Sequence, residues 1–323
     1  MTSSDPVDGR DGTRLVDDSP HRNEYGYGHP LYTASFAEWG EPLALRGSAG
    51  WLLARPIPNS TRRDAMGPYP FLSCADWSAL AKDIAGLPDD LVSLTVVTDP
   101  FGGFDLDALR GCFNQVRDFK GHRVADLNLP INERVSPHHR RRAAKSLRLH
   151  QVEVLERPHE HLTEWLALYE NLVRRHGLSG MKAYSPHSFE QQLTVPGLVA
   201  FRAQHDGETV AMTLWYVQGR VAYGHLAAAS PRGYANAAMY ALDWFASEWF
   251  VDRCRWLAFG GPPSLVTGDG SGLEAYKRGW CTDVVRAYLC WSILDPATYA
   301  SLSARQADTD LSYFPAYRAG EML

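Results

Sequence analysis

The stretch RVAYGHLAAASPRGYANAAMYALDWFASEWF, residues 220–250, contains the pattern that most clearly indicates the fold. Its first seven residues predict a strand, a turn containing proline and glycine follows, and residues 236–250 have the spacing of a long helix. The aromatic residues of this helix predict a face packed on a sheet, and Asp243 is expected on the solvent side, with a position facing the site as the alternative. A glycine turn between a strand and a helix brings unpaired backbone N–H groups and the positive end of the helix dipole together. The segment therefore predicts an anion-binding turn at residues 229–236.

The neighbouring segments predict a sheet around this turn. Two strand-like runs precede residue 220, and Asp206-Gly207 and Gln218-Gly219 are the turn residues expected between antiparallel strands. Residues 256–260 predict a further strand after the helix. Residues 162–176 are amphipathic and are followed by Gly177, which predicts a helix that ends there. Three antiparallel strands, a long helix and another strand are thus expected in this order.

The first half of the chain mixes predicted helices and strands. Residues 91–98 are β-branched and predict a strand, residues 106–119 predict a helix, and residues 123–129 predict a strand. A basic segment that begins with Ser136-Pro137 predicts the start of another helix. We expect a solvated, disordered leader over residues 1–23, an N-terminal half over 24–134 and a C-terminal domain over 135–323.

Composition narrows the classes of function. The chain has 323 residues, a net charge of −5 and a pI of about 6.2, which argues against general coating of DNA or RNA. Five cysteines without a C-x-x-C pair predict reduced thiols and no metal site. The sequence shows neither a signal peptide nor an apolar run of about 18 residues. These features predict a cytoplasmic protein without a membrane span.

The turn resembles the acyl-donor loop of the GNAT superfamily, whose pattern is Gln/Arg-x-x-Gly-x-Gly/Ala. Here Gly233 and Ala235 match the pattern, and Ser230 stands in the place of the leading Gln or Arg. The resemblance implies donor binding at this loop, with Arg232 able to make a bidentate contact to a phosphate. The residues carried over as donor-binding are Ser230, Arg232, Gly233, Tyr234, Ala235 and Asn236.

The wider chain resembles the Fem-like branch of that superfamily. The shared features are the Tyr234-Ala-Asn turn, the aromatic helix, the Leu257-Ala-Phe-Gly-Gly strand end, the segment Gly272-Leu-Glu-Ala-Tyr-Lys-Arg-Gly, and the basic segment 139–145. This resemblance covers residue 134 to the C-terminus. It implies an α/β (α+β) fold of tandem GNAT-like domains, each with a mixed, largely antiparallel sheet flanked by helices.

The implied reaction is the attack of an amine on an aminoacyl ester or a thioester. His225 is a candidate general base because its pKa normally lies near neutrality, and the alternative is a histidine held by one structural hydrogen bond. Asp269 lies in a glycine-rich loop that either closes over substrate or only connects two elements. The Fem-like pattern implies that Lys277 binds a negative group, with a surface ion pair as the alternative. Arg278, beside it, is a further candidate for substrate contact.

The donor remains open between aminoacyl-tRNA and acyl-CoA, and no tightly bound cofactor is expected. Arg140, Arg141 and Lys145 are candidates for contact with tRNA phosphates, or else form a solvated helix face. The expected acceptor is an amine of a small molecule or of a peptidoglycan-type precursor. Two other classes remain: a non-catalytic binding protein on a GNAT scaffold, and a regulator that binds nucleic acid through residues 140–145.

Overall fold

The computed structural model describes residues 24–262, 272–304, 313–319 and 321. The chain folds into two compact units, which we name by their place in the sequence. The central unit contains Lys120–Leu178 and Pro196–Arg286, and the flanking unit contains His21–Phe119, Ser179–Val195 and Ala287–Leu323. The division into 24–134 and 135–323 stays a prediction about domains. No helix of the described residues is both long and apolar enough to cross a membrane.

The elements follow in chain order. The strands are β1 (Glu41–Leu45), β2 (Gly50–Pro56), β3 (Arg63–Met66), β4 (Leu91–Val97), β5 (Gln115–Asp126), β6 (Gln151–Leu155), β7 (Leu198–His205), β8 (Glu208–Gln218), β9 (Val221–Ala229), β10 (Trp256–Gly260) and β11 (Asp283–Ile293). The helices are α1 (Pro30–Ala34), α2 (Leu80–Ala85), α3 (Leu106–Cys112), α4 (Ile131–Arg134), α5 (Pro137–Leu147), α6 (Leu162–His176), α7 (Pro186–Gln192), α8 (Pro231–Ala235), α9 (Ala238–Trp249), α10 (Gly272–Arg278) and α11 (Pro296–Ser303).

The sheet of the central unit has the strand order β5-β10-β9-β8-β7-β6. Every neighbouring pair in it is antiparallel except β9 and β10. Helix α9 packs on this sheet, where Leu242 and Ala246, with Phe250 directly after the helix, join a core that includes Phe201 and Trp215. Phe245 and Trp249, two of the aromatic residues of the helix, pack against the same core.

The flanking unit has the strand order β1-β2-β3-β4-β11, with one parallel pair, β3 and β4. Its core contains Leu52, Leu94, Val96 and Phe104. Each unit therefore has a mixed, largely antiparallel sheet with helices packed on it, and the predicted fold class is confirmed.

Local signals predicted several elements well. Helix α6 ends before Gly177, which adopts a left-handed conformation at φ 60°, as expected of a glycine that terminates a helix. Both hairpin turns lie where they were predicted, with Asp206 and Gly207 at positive φ between β7 and β8. The helix predicted over residues 106–119 is wrong in its second half. It ends at Cys112, and β5 begins at Gln115, because the later residues enter a long strand.

Candidate active site

Strand β9 contains a bulge centred on His225. In the pairing of β8 with β9, Leu214 opposes Leu226 while the next residue, Trp215, opposes Gly224, so His225 is the extra residue. Its ring lies 4.9 Å from that of Tyr216. Burial lowers the pKa of His225 to about 3, although part of the residue reaches solvent. The imidazole is therefore neutral at physiological pH and a weak base, and a role as general base stays a prediction.

Strands β9 and β10 pair over a short distance only. Their parallel pairs run from Val221 with Trp256 to Tyr223 with Ala258. Strand β9 continues to Ala229, whereas β10 ends at Gly260. The parallel ladder ends at Tyr223, two residues before the bulge at His225, and this point is close to the carboxyl end of β10. Such carboxyl ends are where α/β sheets usually bind their ligands.

The turn after β9 is occupied by local contacts. The hydroxyl of Ser230 accepts a 3.1 Å hydrogen bond from the backbone N–H of Gly233, as a helix N-cap does. Arg232 forms ion pairs with Asp206 and Glu208 of the β7–β8 hairpin. Two carboxylates thus engage the guanidinium of Arg232. Its contact with a phosphate stays a prediction.

The rest of the turn packs closely on the sheet. A Cβ at Gly233 would lie 2.2 Å from the carbonyl oxygen of Val210, so only glycine fits this position. The ring of Tyr234 is covered by the guanidinium of Arg175 at 4.3 Å from its centroid. Ala235 ends α8, and the N–H of Asn236 donates to the carbonyl of Arg232 at 3.0 Å.

Lys277 lies at the carboxyl end of β10. Its Nζ donates a 2.7 Å hydrogen bond to the carbonyl oxygen of Gly261, and a Cβ on Gly260 would lie 3.7 Å from the same nitrogen. Gly260 has a φ of 75°, which glycine adopts readily. Burial lowers the pKa of Lys277 to about 8. The predicted alternative of a surface ion pair does not describe this lysine, which is partly buried and bound to a backbone carbonyl.

A buried acid contacts the residue that precedes this lysine. Asp243 of α9 is only 4% exposed, so the expectation that it faces solvent is wrong. Its Oδ2 accepts a 2.6 Å hydrogen bond from the hydroxyl of Tyr276, the residue before Lys277. Burial raises the pKa of Asp243 to about 7, against the opposing effects of the Tyr276 hydrogen bond and the Lys277 charge. Burial, with the charge of Asp243, also raises the pKa of Tyr276 well above its usual range.

Further polar groups surround the pair. Burial, reinforced by the charges of Lys277 and Lys120, lowers the pKa of His122 to about 3. Arg123 and Glu274 form an ion pair at 2.5 Å. The Nε2 of His139, at the start of α5, lies 2.9 Å from the carbonyl oxygen of Tyr276. These contacts connect β5, α5 and α10 around one group of titratable side chains.

The basic residues of α5 lie at the surface of the central unit. Arg141 and Lys145 are exposed, Arg140 is partly exposed, and Arg142 lies over the ring of Tyr240 at 5.1 Å. Among the described residues, the arginines and the lysine of this helix have no acidic partner within 4 Å. A helix with these cations and no nearby counter-charge presents a local basic surface on an acidic protein.

The structure unites part of the predicted site. Lys277 joins a buried cluster, His225 marks the β9 bulge, and Asp269 lies outside the described residues. Arg278 is exposed beside Lys277. Tyr276 was not among the predicted site residues, although it stands inside the motif quoted for Lys277. In the described part of the chain, no group of three or more His, Cys, Asp or Glu is placed to hold a metal ion.

Comparison with known proteins defines the class of this fold. A protein-family model described as an acetyltransferase (GNAT) domain matches residues 136–278. The structure of FemX superposes with a TM-score of 0.62 at 12% identity, covering 87% of this chain and 96% of that one. The C-terminal domain of a putative lysylphosphatidylglycerol synthetase from Agrobacterium fabrum superposes with a TM-score of 0.59 at 13% identity, covering 85% and 91%.

A third solved structure, L-PGS from Bacillus licheniformis, gives a TM-score of 0.52 at 15% identity and covers 85% of this chain and 92% of that one. At such identities these similarities describe the fold alone. The search of curated proteins by sequence found no match. Residues 136–278 thus match a GNAT domain, and the fold of the chain is similar to that of FemX, in agreement with the Fem-like GNAT resemblance of its motifs.

Proposed function

We propose that this protein is an N-acyltransferase that moves an aminoacyl group from aminoacyl-tRNA to an amine. The observation that carries the proposal is the position of Lys277, whose ammonium nitrogen lies at the carboxyl end of β10 and donates to Gly261. Attack of an amine on an ester carbonyl develops negative charge on the carbonyl oxygen. A partly buried cation that is held in place stabilises such an oxyanion more strongly than one in water.

The reaction balances without a cofactor. The neutral amine forms a C–N bond to the aminoacyl carbon, the C–O bond to the ribose breaks, and the proton lost by the amine goes to the leaving hydroxyl. Lys277 supplies charge and needs no net change of protonation. Main-chain N–H groups near the β9 bulge are further donors for the oxyanion. We propose that no cofactor is tightly bound and that the protein acts in the cytoplasm, where charged tRNA is available.

Two features favour tRNA as the source of the acyl group. Arg232 is engaged by Asp206 and Glu208, and the N–H of Gly233 donates to the hydroxyl of Ser230. This loop therefore has fewer donors available to a phosphate than an open glycine turn has. The cations of α5 form a basic surface suited to a polynucleotide backbone.

Acyl-CoA is the second candidate donor, because the matching family model describes acetyltransferases. In either case we propose an acceptor amine on a small molecule or on a peptidoglycan-type precursor. The acceptor amine has to be neutral when it attacks, since a protonated amine has no free electron pair.

The test supplies each donor with a radiolabelled acyl group. The purified protein is incubated with a charged tRNA pool or with acetyl-CoA, together with a panel of small amines and a muramyl pentapeptide, and labelled amide is measured. We expect labelled product from aminoacyl-tRNA, loss of the product on Lys277→Met, and no loss on Lys82→Met, which alters an exposed lysine of α2. Product from acetyl-CoA alone would establish the second candidate.

Donor binding provides an independent measurement. A ligand that binds only the folded protein raises its melting temperature. Charged tRNA is expected to do so and acetyl-CoA is not. If neither donor binds and neither yields product, the chain is a non-catalytic GNAT scaffold and the proposal is wrong.

A further inference from the structure

We infer that the groove between α6 and α8 binds a nucleotide phosphate of the acyl donor, with Arg175 as the phosphate ligand and Tyr234 as the platform that holds it. The inference rests on the proposed function, because it assigns a contact to the donor of that reaction. The groove has a volume of about 320 Å³, within the range of roughly 300–1,000 Å³ that small-molecule sites have. Its walls are Asn171, Arg174, Arg175, Pro231 and Tyr234.

The groove lies against the turn that resembles a donor loop. Pro231 and Tyr234 belong to this turn and form one wall, and the end of α6 forms the other. Arg232 is the only cation within residues 229–236, and two carboxylates of the β7–β8 hairpin already engage it. Ser230 stands where the donor-loop pattern has Gln or Arg. The neighbouring helix α6 therefore supplies the cation that the turn itself does not offer.

Arg175 is held in place with its donors available. Its guanidinium carbon lies 4.3 Å from the centroid of the Tyr234 ring. A guanidinium that stacks on an aromatic ring uses its flat face for that contact, and its N–H donors lie along its edge. Among the described residues, no carboxylate lies within 4 Å of this guanidinium. The edge is thus available for a bidentate contact with a phosphate.

Arg174 adds charge to the groove, but its own donors are engaged. It donates to Glu170 at 3.3 Å and to Asn171 at 3.0 Å. Both arginines lie in the last turn of α6, where cations also interact favourably with the helix dipole. The dipole accounts for two positive charges at this end of the helix. It does not account for the stacking of Arg175 on a tyrosine of the donor turn.

Direct contacts join the groove to the basic surface of α5. The hydroxyl of Ser146 donates to the carbonyl of Ala237 at 2.9 Å, and the N–H of Ala237 donates to the carbonyl of Tyr234 at 3.1 Å. The exposed cation Lys145 directly precedes Ser146 in α5. Cations beside aromatic rings are the means by which proteins bind single-stranded nucleotides. A polynucleotide on α5 would therefore find a second cationic contact at the groove.

The experiment measures nucleotide binding to the full-length protein by calorimetry and requires no acyl transfer. The probes are the trinucleotide CpCpA, which has the sequence of a tRNA end, and adenosine 3′,5′-bisphosphate, a nucleotide part of coenzyme A. We expect the wild type to bind the trinucleotide and Arg175→Ala to bind it about tenfold or more weakly, the effect of losing a hydrogen bond between charged groups. Tyr234→Leu should weaken binding by less, because the arginine remains but is no longer held on a ring.

Arg253→Ala is the matched control. This exposed arginine of the same unit also stacks on an aromatic ring, that of Trp249 at 4.1 Å, but it lies outside the groove. The control should bind the trinucleotide as the wild type does. Because Arg175 is exposed, its truncation removes no core contact. Equal affinity of Arg175→Ala and the wild type would overturn the inference, as would an equal loss in Arg253→Ala or a wild type that binds neither probe.

The two probes also identify the source of the phosphate. Binding of the bisphosphate alone, if it depended on Arg175, would keep the groove as a nucleotide site and assign it to acyl-CoA. Binding that depends on Arg175 in a protein that transfers no acyl group from either donor would leave the inference standing and refute the proposed function alone. Acyl transfer by Arg175→Ala with an unchanged KM for the donor would refute the inference alone.

Discussion

The hydroxyl of Tyr276 donates a 2.6 Å hydrogen bond to Oδ2 of Asp243, which joins α10 to α9 beneath the end of β10. The bond lies between residues 33 apart in the chain, in a place where Asp243 is 4% exposed. A carboxyl group in such a place has a different proton affinity in the folded and unfolded chain. Its effect on stability therefore depends on pH.

Asp243→Asn is expected to change the pH dependence of stability. The pKa of Asp243 is about 7 in the folded protein against 3.8 for the ordinary group, so the folded state binds the proton more tightly. Its contribution to the free energy of unfolding is therefore complete below pH 4 and is lost as the pH rises to 7. The difference of about three units corresponds to roughly 4 kcal/mol.

Urea unfolding of the wild-type protein and the variant from pH 4.5 to pH 8 measures this effect. The free energy of unfolding of the wild type should fall relative to that of Asp243→Asn as the pH rises. A difference between the two proteins that is constant over this range would show that Asp243 does not titrate as its burial requires.

Lys277→Arg is expected to abolish the loss of kcat/KM that the wild-type protein shows at alkaline pH through this lysine. The pKa of Lys277 is about 8, so its ammonium is present below that pH and is lost above it. Arginine remains charged over the whole range. The ratio of wild-type to variant kcat/KM, measured from pH 6.5 to pH 9.5, should therefore fall above pH 8.

The ratio of the two kcat/KM values removes the effect of the acceptor amine, because its neutral fraction rises with pH in the same way in both assays. A ratio that does not change with pH would mean that the charge of Lys277 is not used in the reaction.

How much the sequence predicted depended on whether the signal was local. The end of α6 at Gly177 and the hairpin turn at Asp206-Gly207 are set by backbone preferences of a few residues, and both were predicted correctly. The end of α3 was not, because residues from Gln115 onward belong to a strand, β5, that pairs with β10 residues 130 to 137 positions later. Such a partner overrides a weak helical pattern.

Prediction of the site residues also depended on whether the signal was local. Lys277 stands in a recognisable motif and was predicted from it, whereas Asp243 was expected to face solvent, as most carboxylates do. Its hydrogen-bond partner is a tyrosine from another helix, and no spacing within α9 reveals that partner. The donor-loop glycine was predicted for a ligand, yet its position is explained by the carbonyl of Val210.

Gly233→Ala is expected to destabilise the central unit strongly. The added methyl group would lie 2.2 Å from the carbonyl oxygen of Val210, which belongs to a strand and cannot move freely. We expect a loss of about 3 kcal/mol or more in the free energy of unfolding. Gly111→Ala is the matched control, because a Cβ there meets nothing within 4 Å. This second change should be neutral or stabilise by about 0.5–1 kcal/mol. Equal melting temperatures for the two variants would contradict the packing described for the turn.

Asp64→Ala is expected to disrupt the flanking unit. Asp64 is fully buried and accepts hydrogen bonds from Arg55, at 3.1 Å, and from Arg318 near the C-terminus. Its removal leaves two buried guanidinium groups without their shared carboxylate, a loss of about 3–5 kcal/mol. The control is Asp107→Ala, which breaks an exposed pair with Arg110 and should change stability by less than about 1 kcal/mol. Denaturant unfolding compares the two, and a small effect at Asp64 would mean that Glu321 compensates for it.

The double variant Arg141→Ala/Lys145→Ala tests whether the basic surface of α5 contacts a polynucleotide. Both residues are exposed on a helix whose cations have no acidic partner within 4 Å in the described structure, so they are free to meet phosphates. Each lost phosphate contact should reduce the slope of log affinity against log salt concentration by about 1. We therefore expect weaker binding of charged tRNA at low salt and a slope that is shallower by about 2.

Arg157→Ala is the control, because this exposed arginine of the same unit already forms an ion pair with Glu160 at 2.6 Å. Fluorescence anisotropy with labelled tRNA from 50 to 250 mM salt gives both quantities for each protein. The same slope in the double variant and in the wild type would remove α5 from the interface. Because the whole chain carries a net charge of −5, binding that persisted would then require another cationic surface, and the preference for a tRNA donor would lose its main structural support.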